Sequence, residues 1–331
     1  MNNISILKWF MALAVFVMMT FPVSSDAQVP PRFYWKSLIG GNALPLINMD
    51  MSGNANPLDP AHFIDISADV SFDANVALAG YGRTFTLFGK SALAAALLPV
   101  GRISAQGTVQ GEEGGRTVSE STNGFGDPTL ELVINLVGPP PIRNMPDMLR
   151  YEPGFSLDLL VDLIVPIGEN DSDSALNMGQ NRWYGRIAAP IVWQLGDWVP
   201  GRRTTLEFLP SVWLFGDNDD FMGQRLSTDP KYQLEAHLTR DFHQDLWGSL
   251  DTNWISGGKS SIDGVSGEDL DMVGVGFTLG YHINENVQLT AGYMFTVSDS
   301  APTDLRMDIF KLSLVFGWHP LIEGMKRLGG D

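Results

Sequence analysis

The segment KYQLEAHLTRDF sets Lys231, Gln233, Glu235, His237, Thr239 and Asp241 on one series of alternate positions, and Tyr232, Leu234, Ala236, Leu238 and Phe242 on the other. Successive side chains of a β-strand point to opposite faces, so this is a strand with one wholly polar face and one almost wholly apolar face. The pattern recurs down the chain. Leu130, Leu132, Ile134 and Leu136 oppose Thr129, Glu131 and Asn135, and in FSLDLLVDLIV the residues Phe155, Leu157, Leu159, Val161, Leu163 and Val165 oppose Ser156, Asp158 and Asp162. Segments 183–195, 204–215, 246–256, 271–282, 287–298 and 308–318 are of the same kind, and helical periodicity is nearly absent. The expected fold is therefore all-β and antiparallel.

Two architectures bury the apolar face of such strands: a sandwich, which packs it on a second sheet, and a transmembrane barrel, which turns it to lipid. Three features favour the barrel. Most segments run 11 to 13 residues, near the roughly 9–11 that a tilted strand needs to cross a bilayer and beyond the roughly 5–6 of a globular strand. Short connections (243–245, 283–286 and the somewhat longer 196–203) alternate with long polar ones (167–181, 216–229, 257–270), as periplasmic turns alternate with surface loops. Trp183 and Trp254 lie at the long-loop ends and Trp193, Tyr281 and Trp318 at the short-turn ends, the two levels expected of aromatic girdles. The 138–154 connection is long although it falls on the short-turn side, and reads as an ordered periplasmic excursion.

The N-terminus fits an exported chain. Lys8 precedes the 13-residue apolar run WFMALAVFVMMTF, followed by PVSSDAQ, so residues 1–27 read as a signal peptide cleaved after Ala27. The run is short of the roughly 20 residues of a membrane-spanning helix. Cysteine is absent, which excludes disulfides and thiolate metal sites. The net charge of −17 repels phosphates and argues against nucleic acid as a partner. Expected partners are instead outer-membrane lipid and lipopolysaccharide, the barrel assembly machinery, and a small-molecule solute.

Parity sets the strand count, since a barrel with both ends in the periplasm has an even number of strands. Nine follow the 107–123 loop, and three before it (near 64–76, 80–88 and 91–106) bring the total to about twelve, with ten as the alternative if only one precedes it. The expected organisation is a signal peptide (1–27), an N-terminal segment able to plug the lumen (28–62), a transmembrane β-barrel (63–318) and a periplasmic tail (319–331).

On this reading the polar faces line the lumen. The candidate lining residues are Asp65, Asp69 and Asp73 in IDISADVSFDANVALA, with Glu131, Asp158, Asp162, Glu207, Lys231, Glu235, His237, Asp251 and Lys311. They make either a passage for cations or polar solutes, or a set of charges that pair across a narrow barrel. Catalysis finds no support: Glu235 could orient His237, but no motif places a nucleophile. The acidic runs ENDSDS (169–174) and DNDD (217–220) lack the spacing of a calcium loop, and GFGDP (124–128) lacks that of a nucleotide site. No cofactor or metal is expected.

NANPLDP (54–60), GFGDP (124–128), GQNRWYGRIAAP (179–190), LFGDNDDF (214–221), STDPKYQLEAHLTRDF (227–242) and WISGG (254–258), in this order, resemble the family named for the MetA pathway of phenol degradation, classed as outer-membrane transporters. The resemblance runs from about residue 40 to 318. It implies a barrel that takes up small organic compounds, hydrophobic or aromatic ones among them, and it carries no catalytic residues. The alternatives left open are a structural or adhesive outer-membrane barrel that does not transport, and a soluble periplasmic β-sandwich that binds a ligand.

Overall fold

The computed structural model describes residues 29–54, 70–111, 114–299 and 306–329. In chain order its strands are β1 (Asn42–Gly53), β2 (Val70–Leu87), β3 (Lys90–Gly111), β4 (Gly114–Phe125), β5 (Thr129–Val137), β6 (Phe155–Ile164), β7 (Tyr184–Ala188), β8 (Ile191–Gln194) and β9 (Thr204–Phe215). There follow β10 (Asn218–Phe221), β11 (Gln224–Thr228), β12 (Lys231–Asp241), β13 (Leu246–Gly257), β14 (Ser260–Ile262), β15 (Val265–Ser266), β16 (Leu270–His282), β17 (Val287–Asp299) and β18 (Met307–Trp318). Helix α1 (Met145–Leu149) lies between β5 and β6, and α2 (Pro320–Gly329) follows β18.

Fourteen of these strands form one antiparallel sheet that closes on itself, with β1 paired to β18 from Asn42↔Trp318 to Gly53↔Met307. Closure leaves no free edge. Two staves are interrupted. β4 and β5 both pair with β3 and are separated only by Gly126–Pro128, while β7 and β8 both pair with β6 and β9 and are separated by Ala189–Pro190. Counted as staves, the barrel has twelve.

The total of twelve arises differently from the sequence expectation. ANVALAGYG does not turn, and β2 runs straight through it as one 18-residue strand. At its centre Gly80 lets the backbones approach, because a Cβ there would sit 2.4 Å from Leu97 Cδ2 and 2.8 Å from the Ala96 carbonyl oxygen. The turn comes instead at Phe88 and Gly89, both in the left-handed region (φ 51° and 75°), as a two-residue hairpin requires. The missing stave is β1, within the segment expected to be plug, so the barrel begins at Asn42 rather than residue 63.

Short turns gather at one end, together with the start of β1 and the end of β18, and the long connections gather at the other. The 138–154 excursion is ordered around α1, whose N-cap Asn144 accepts the Asp147 amide at 2.9 Å. On the long-loop side β10, β11, β14 and β15 form a separate four-stranded sheet.

The outward face of the staves is apolar: Leu46, Leu98, Leu130, Leu132, Leu163, Ile187, Leu234, Leu238, Leu250, Phe277, Leu279 and Leu314 are all exposed. So continuous an apolar belt is tolerated where lipid covers it. Trp183 and Trp254 mark its long-loop rim; Trp193, Tyr81 and Trp318 mark the other, where Tyr81 donates to Asn42 at 2.6 Å.

Candidate permeation pathway

Inward-facing residues form rows that the strand registers fix. One row runs Glu131, Asp162, Arg186, Trp213, Lys231 across β5, β6, β7, β9 and β12. Arg186 Nε donates to Asp162 Oδ2 at 2.7 Å and Nη1 to Glu235 Oε1 at 3.3 Å, while the Arg186 and Lys231 cations both lie over the Trp213 ring, at 5.0 and 5.3 Å. A second row joins Glu207, His237 and Asp251. His237 Nδ1 and Asp251 Oδ1 are 2.7 Å apart, and Asp251 also accepts from Ser249 at 2.5 Å and Thr278 at 2.7 Å. This half of the wall is a cross-paired polar network.

The opposite wall is different in kind. Met49, Met51, Ala74, Val76 and Ile103 from β1, β2 and β3 form a buried apolar cluster inside the barrel, joined by Leu176 and Met178. Met294 and Ile309 continue it onto β17 and β18, through the row Ile103, Ala74, Met51, Ile309, Met294. The lumen is thus amphipathic, charged on one side and apolar on the other.

From the short-turn end, residues 29–41 enter the barrel. The Val29 amide donates to Glu235 Oε2 and the Arg32 amide to Glu207 Oε2, each at 2.9 Å, and the Trp35 indole N–H donates to Glu207 Oε1 at 2.8 Å. Arg32 is the principal anchor. Its Nη1 donates to Asp241 at 2.6 Å, its Nε to Thr239 at 3.1 Å, and its guanidinium lies between the Trp35 and Trp247 rings, 4.2 and 4.5 Å from their centroids. Asp241 is bound as well by Arg203 at 2.7 Å. Lys36 pairs with Asp158; burial draws its ammonium below the ordinary lysine value, and the carboxylate opposes that shift. The Ile39 amide donates to the Ile142 carbonyl of the 138–154 excursion at 2.8 Å, which ties the segment to the barrel rim.

Of the residues singled out in the sequence, Glu131, Asp158, Asp162, Glu207, Lys231, Glu235, His237, Asp251 and Lys311 are buried on the inward face. Asp65 and Asp69 lie outside the described residues. Asp73 requires a correction: it is exposed on the outward face of β2, while its neighbours Ala74 and Val76 point inward. Ala74 and Val76 form part of the apolar lumen wall, and Asp73 stands beyond the lipid belt in the row of Ser104 and Ser121. At 18 and 22 residues β2 and β3 are far longer than the roughly 9–11 a bilayer requires, so their polar upper halves project out of it.

Sequence reasoning put Asp241 on the polar face of its strand without singling it out, and missed Arg186 and the anchors Arg32 and Lys36. Arg186 carried a signal, since Tyr184, Arg186 and Ala188 alternate with Gly185 and Ile187. Arg32 and Lys36 belong to a segment without periodicity, and their spacing of four is the single cue.

A family model described as "Putative MetA-pathway of phenol degradation" matches residues 41–305. Among solved structures, the COG4313 outer membrane channel from Pseudomonas putida F1 superposes with a TM-score of 0.68 at 20% identity, covering 88% of this chain and 100% of that one. The β domain of the Bordetella autotransporter BrkA gives a TM-score of 0.45 at 11% identity over 84% and 100% of the two chains. The TodX monoaromatic hydrocarbon channel gives 0.34 at 11% over 85% and 90%. No curated protein matches the chain in sequence.

Proposed function

The chain belongs to the MetA-pathway of phenol degradation family and is a β-barrel of the outer membrane, and on that basis we propose that it is a channel for small organic compounds with hydrophobic or aromatic character. The observation that carries this reading is the two-sided lumen, with Met49, Met51, Ala74, Val76 and Ile103 facing a wall of paired charges. An apolar solute loses water at the first wall without leaving a polar group unpaired, and the second keeps the passage hydrated. The inward-facing acids serve as lining and pairing groups rather than catalytic ones, and the protein works without cofactor or metal. Insertion by the barrel assembly machinery and contact with lipopolysaccharide in the outer leaflet belong to the same proposal.

In this reading residues 29–41 are a plug on the periplasmic side, released for passage. Reconstitution into planar bilayers tests it: rare openings are expected of the full chain and sustained conductance after deletion of residues 29–40. Silence of both would leave a structural or adhesive barrel as the better reading, which the ordered outer sheet of β10, β11, β14 and β15 would then serve.

A further inference from the structure

The connection from β6 to β7, residues 165–183, does not stay outside the barrel. It folds back over the break between β4 and β5, where the Val165 amide donates to the Pro128 carbonyl at 3.0 Å and the Glu169 amide to the Phe125 carbonyl at 2.8 Å. A single side chain holds both of its limbs: Asp127 Oδ1 accepts the Gly168 amide at 2.8 Å and Oδ2 the Gln180 amide at 2.7 Å. Asp127 is 5% exposed. Three glycines allow the backbones to touch here. A Cβ on Gly168 would lie 2.6 Å from the Gly126 carbonyl carbon, and one on Gly179 would lie 2.7 Å from that of Gly168. The outgoing limb is tied to the outer sheet, since Asn218 donates to the Gln180 carbonyl at 3.1 Å and Arg182 to Thr228 at 2.7 Å. What this scaffold presents inward is Leu176 and Met178, 3% and 4% exposed, against the apolar wall of Met49, Met51 and Ile103.

We propose that Leu176 and Met178 are the specificity-determining residues of the pathway on its extracellular side, and that Asp127 is the positioning residue that sets them. The inference rests on the channel reading and adds to it where the choice of solute is made. A solute on this route must part Leu176 and Met178 from the wall they pack on; between the two apolar surfaces a polar solute sheds water and finds no replacement bonds, whereas an aromatic ring finds polarizable thioethers and methyl groups. The linkage through Asp127 explains why the stave is broken at Gly126–Pro128: a continuous strand would spend those backbone groups on the ladder and leave no carboxylate turned toward the loop.

The test is liposome flux of two neutral solutes of similar size, phenyl β-D-xyloside and xylobiose, through the full-length protein. Leu176→Asn, which keeps the branched heavy-atom skeleton, with Met178→Gln, which keeps the unbranched reach, is expected to lower the aromatic-to-sugar flux ratio about tenfold, as exchange of a few apolar contacts for polar ones does in selective sites. Asp127→Asn, which keeps one acceptor oxygen and shape, is expected to shift the ratio in the same direction by less, and Asp127→Ala by more. Single Met178→Gln serves if the double variant loses the heat-dependent gel migration of a folded barrel. An unchanged ratio in folded variants that still pass both solutes overturns this inference and leaves the channel reading standing. Passage of neither solute by the wild type or by the chain lacking residues 29–40 overturns both.

Discussion

Arg32 shows how much one side chain of the inserted segment is asked to do. It closes a buried ion pair with Asp241 and stacks between Trp35 and Trp247. Arg203 remains on Asp241 when Arg32 is removed, so Arg32→Ala is expected to cost about 2 kcal/mol, somewhat less than breaking an isolated buried pair. Denaturant unfolding would read the cost, and single-channel recording would read a rise in open probability. Gly280 offers an indirect route to the same result. A Cβ there would lie 2.1 Å from Trp247 Cε2, so Gly280→Ala should push the indole off Arg32 at a cost of about 1–3 kcal/mol. The two variants should share one conductance phenotype although Gly280 lies in β16, outside the plug. At this scale alternation separated the faces of β12 residue by residue, since Glu235 and His237 oppose Leu234 and Leu238. It failed at Asp73, because an apolar lumen wall and lipid ask for the same side chains and parity cannot tell them apart.

The staves from β5 to β13 are legible because their inward residues are mostly polar and their outward ones apolar, and their turns hold Gly, Asn, Asp or Pro. A matched pair of substitutions in β12 tests this directly. Leu234→Arg, on the lipid face, is expected to cost about 2–4 kcal/mol, whereas Gln233→Arg, one residue away and inward, should cost far less. Equal costs in a lipid-vesicle folding assay would mean that the outer belt is not in lipid. The elements at the beginning were harder to read. β1 (NALPLINMDMSG) mixes Pro, Asn and Met and turns Met49 and Met51 inward, so its pattern matches neither a plug nor a lipid-facing strand. β2 conceals its length behind glycines that look like turn residues and instead serve close packing of strands. The break at Gly126–Pro128 is visible as GFGDP, but its purpose depends on a loop forty residues downstream, which no local pattern reports.

Taken whole, the molecule is a barrel occupied from both ends, by residues 29–41 below and the 165–183 connection above. The negative charge of the chain is carried largely outside the lumen. Asp158, Asp162, Glu235, Asp241 and Asp251 are answered inside by Arg32, Lys36, Arg186, Arg203, His237 and Lys311, and Glu207 accepts N–H groups of Arg32 and Trp35, while Asp217, Asp219, Asp263 and Asp269 lie in the outer loops. Deleting residues 29–40 uncovers Glu235, Glu207 and Asp158 together, and the ion selectivity of the opened barrel should shift toward cations, a change that reversal-potential measurements in a salt gradient would show. The barrel itself should survive the deletion, because β1 begins beyond the cut, and unheated gel migration should remain that of a folded barrel. The bond from Val29 to Glu235 spans 206 positions of sequence, and this has a practical side. A peptide fused immediately ahead of Val29 begins inside the barrel wall, where a bulky tag competes with the very segment under study, so an affinity handle or fluorophore belongs after α2. The same separation orders biogenesis: residues 29–41 are synthesised before the strands that seat them, and cannot dock until β6, β9 and β12 have all been made.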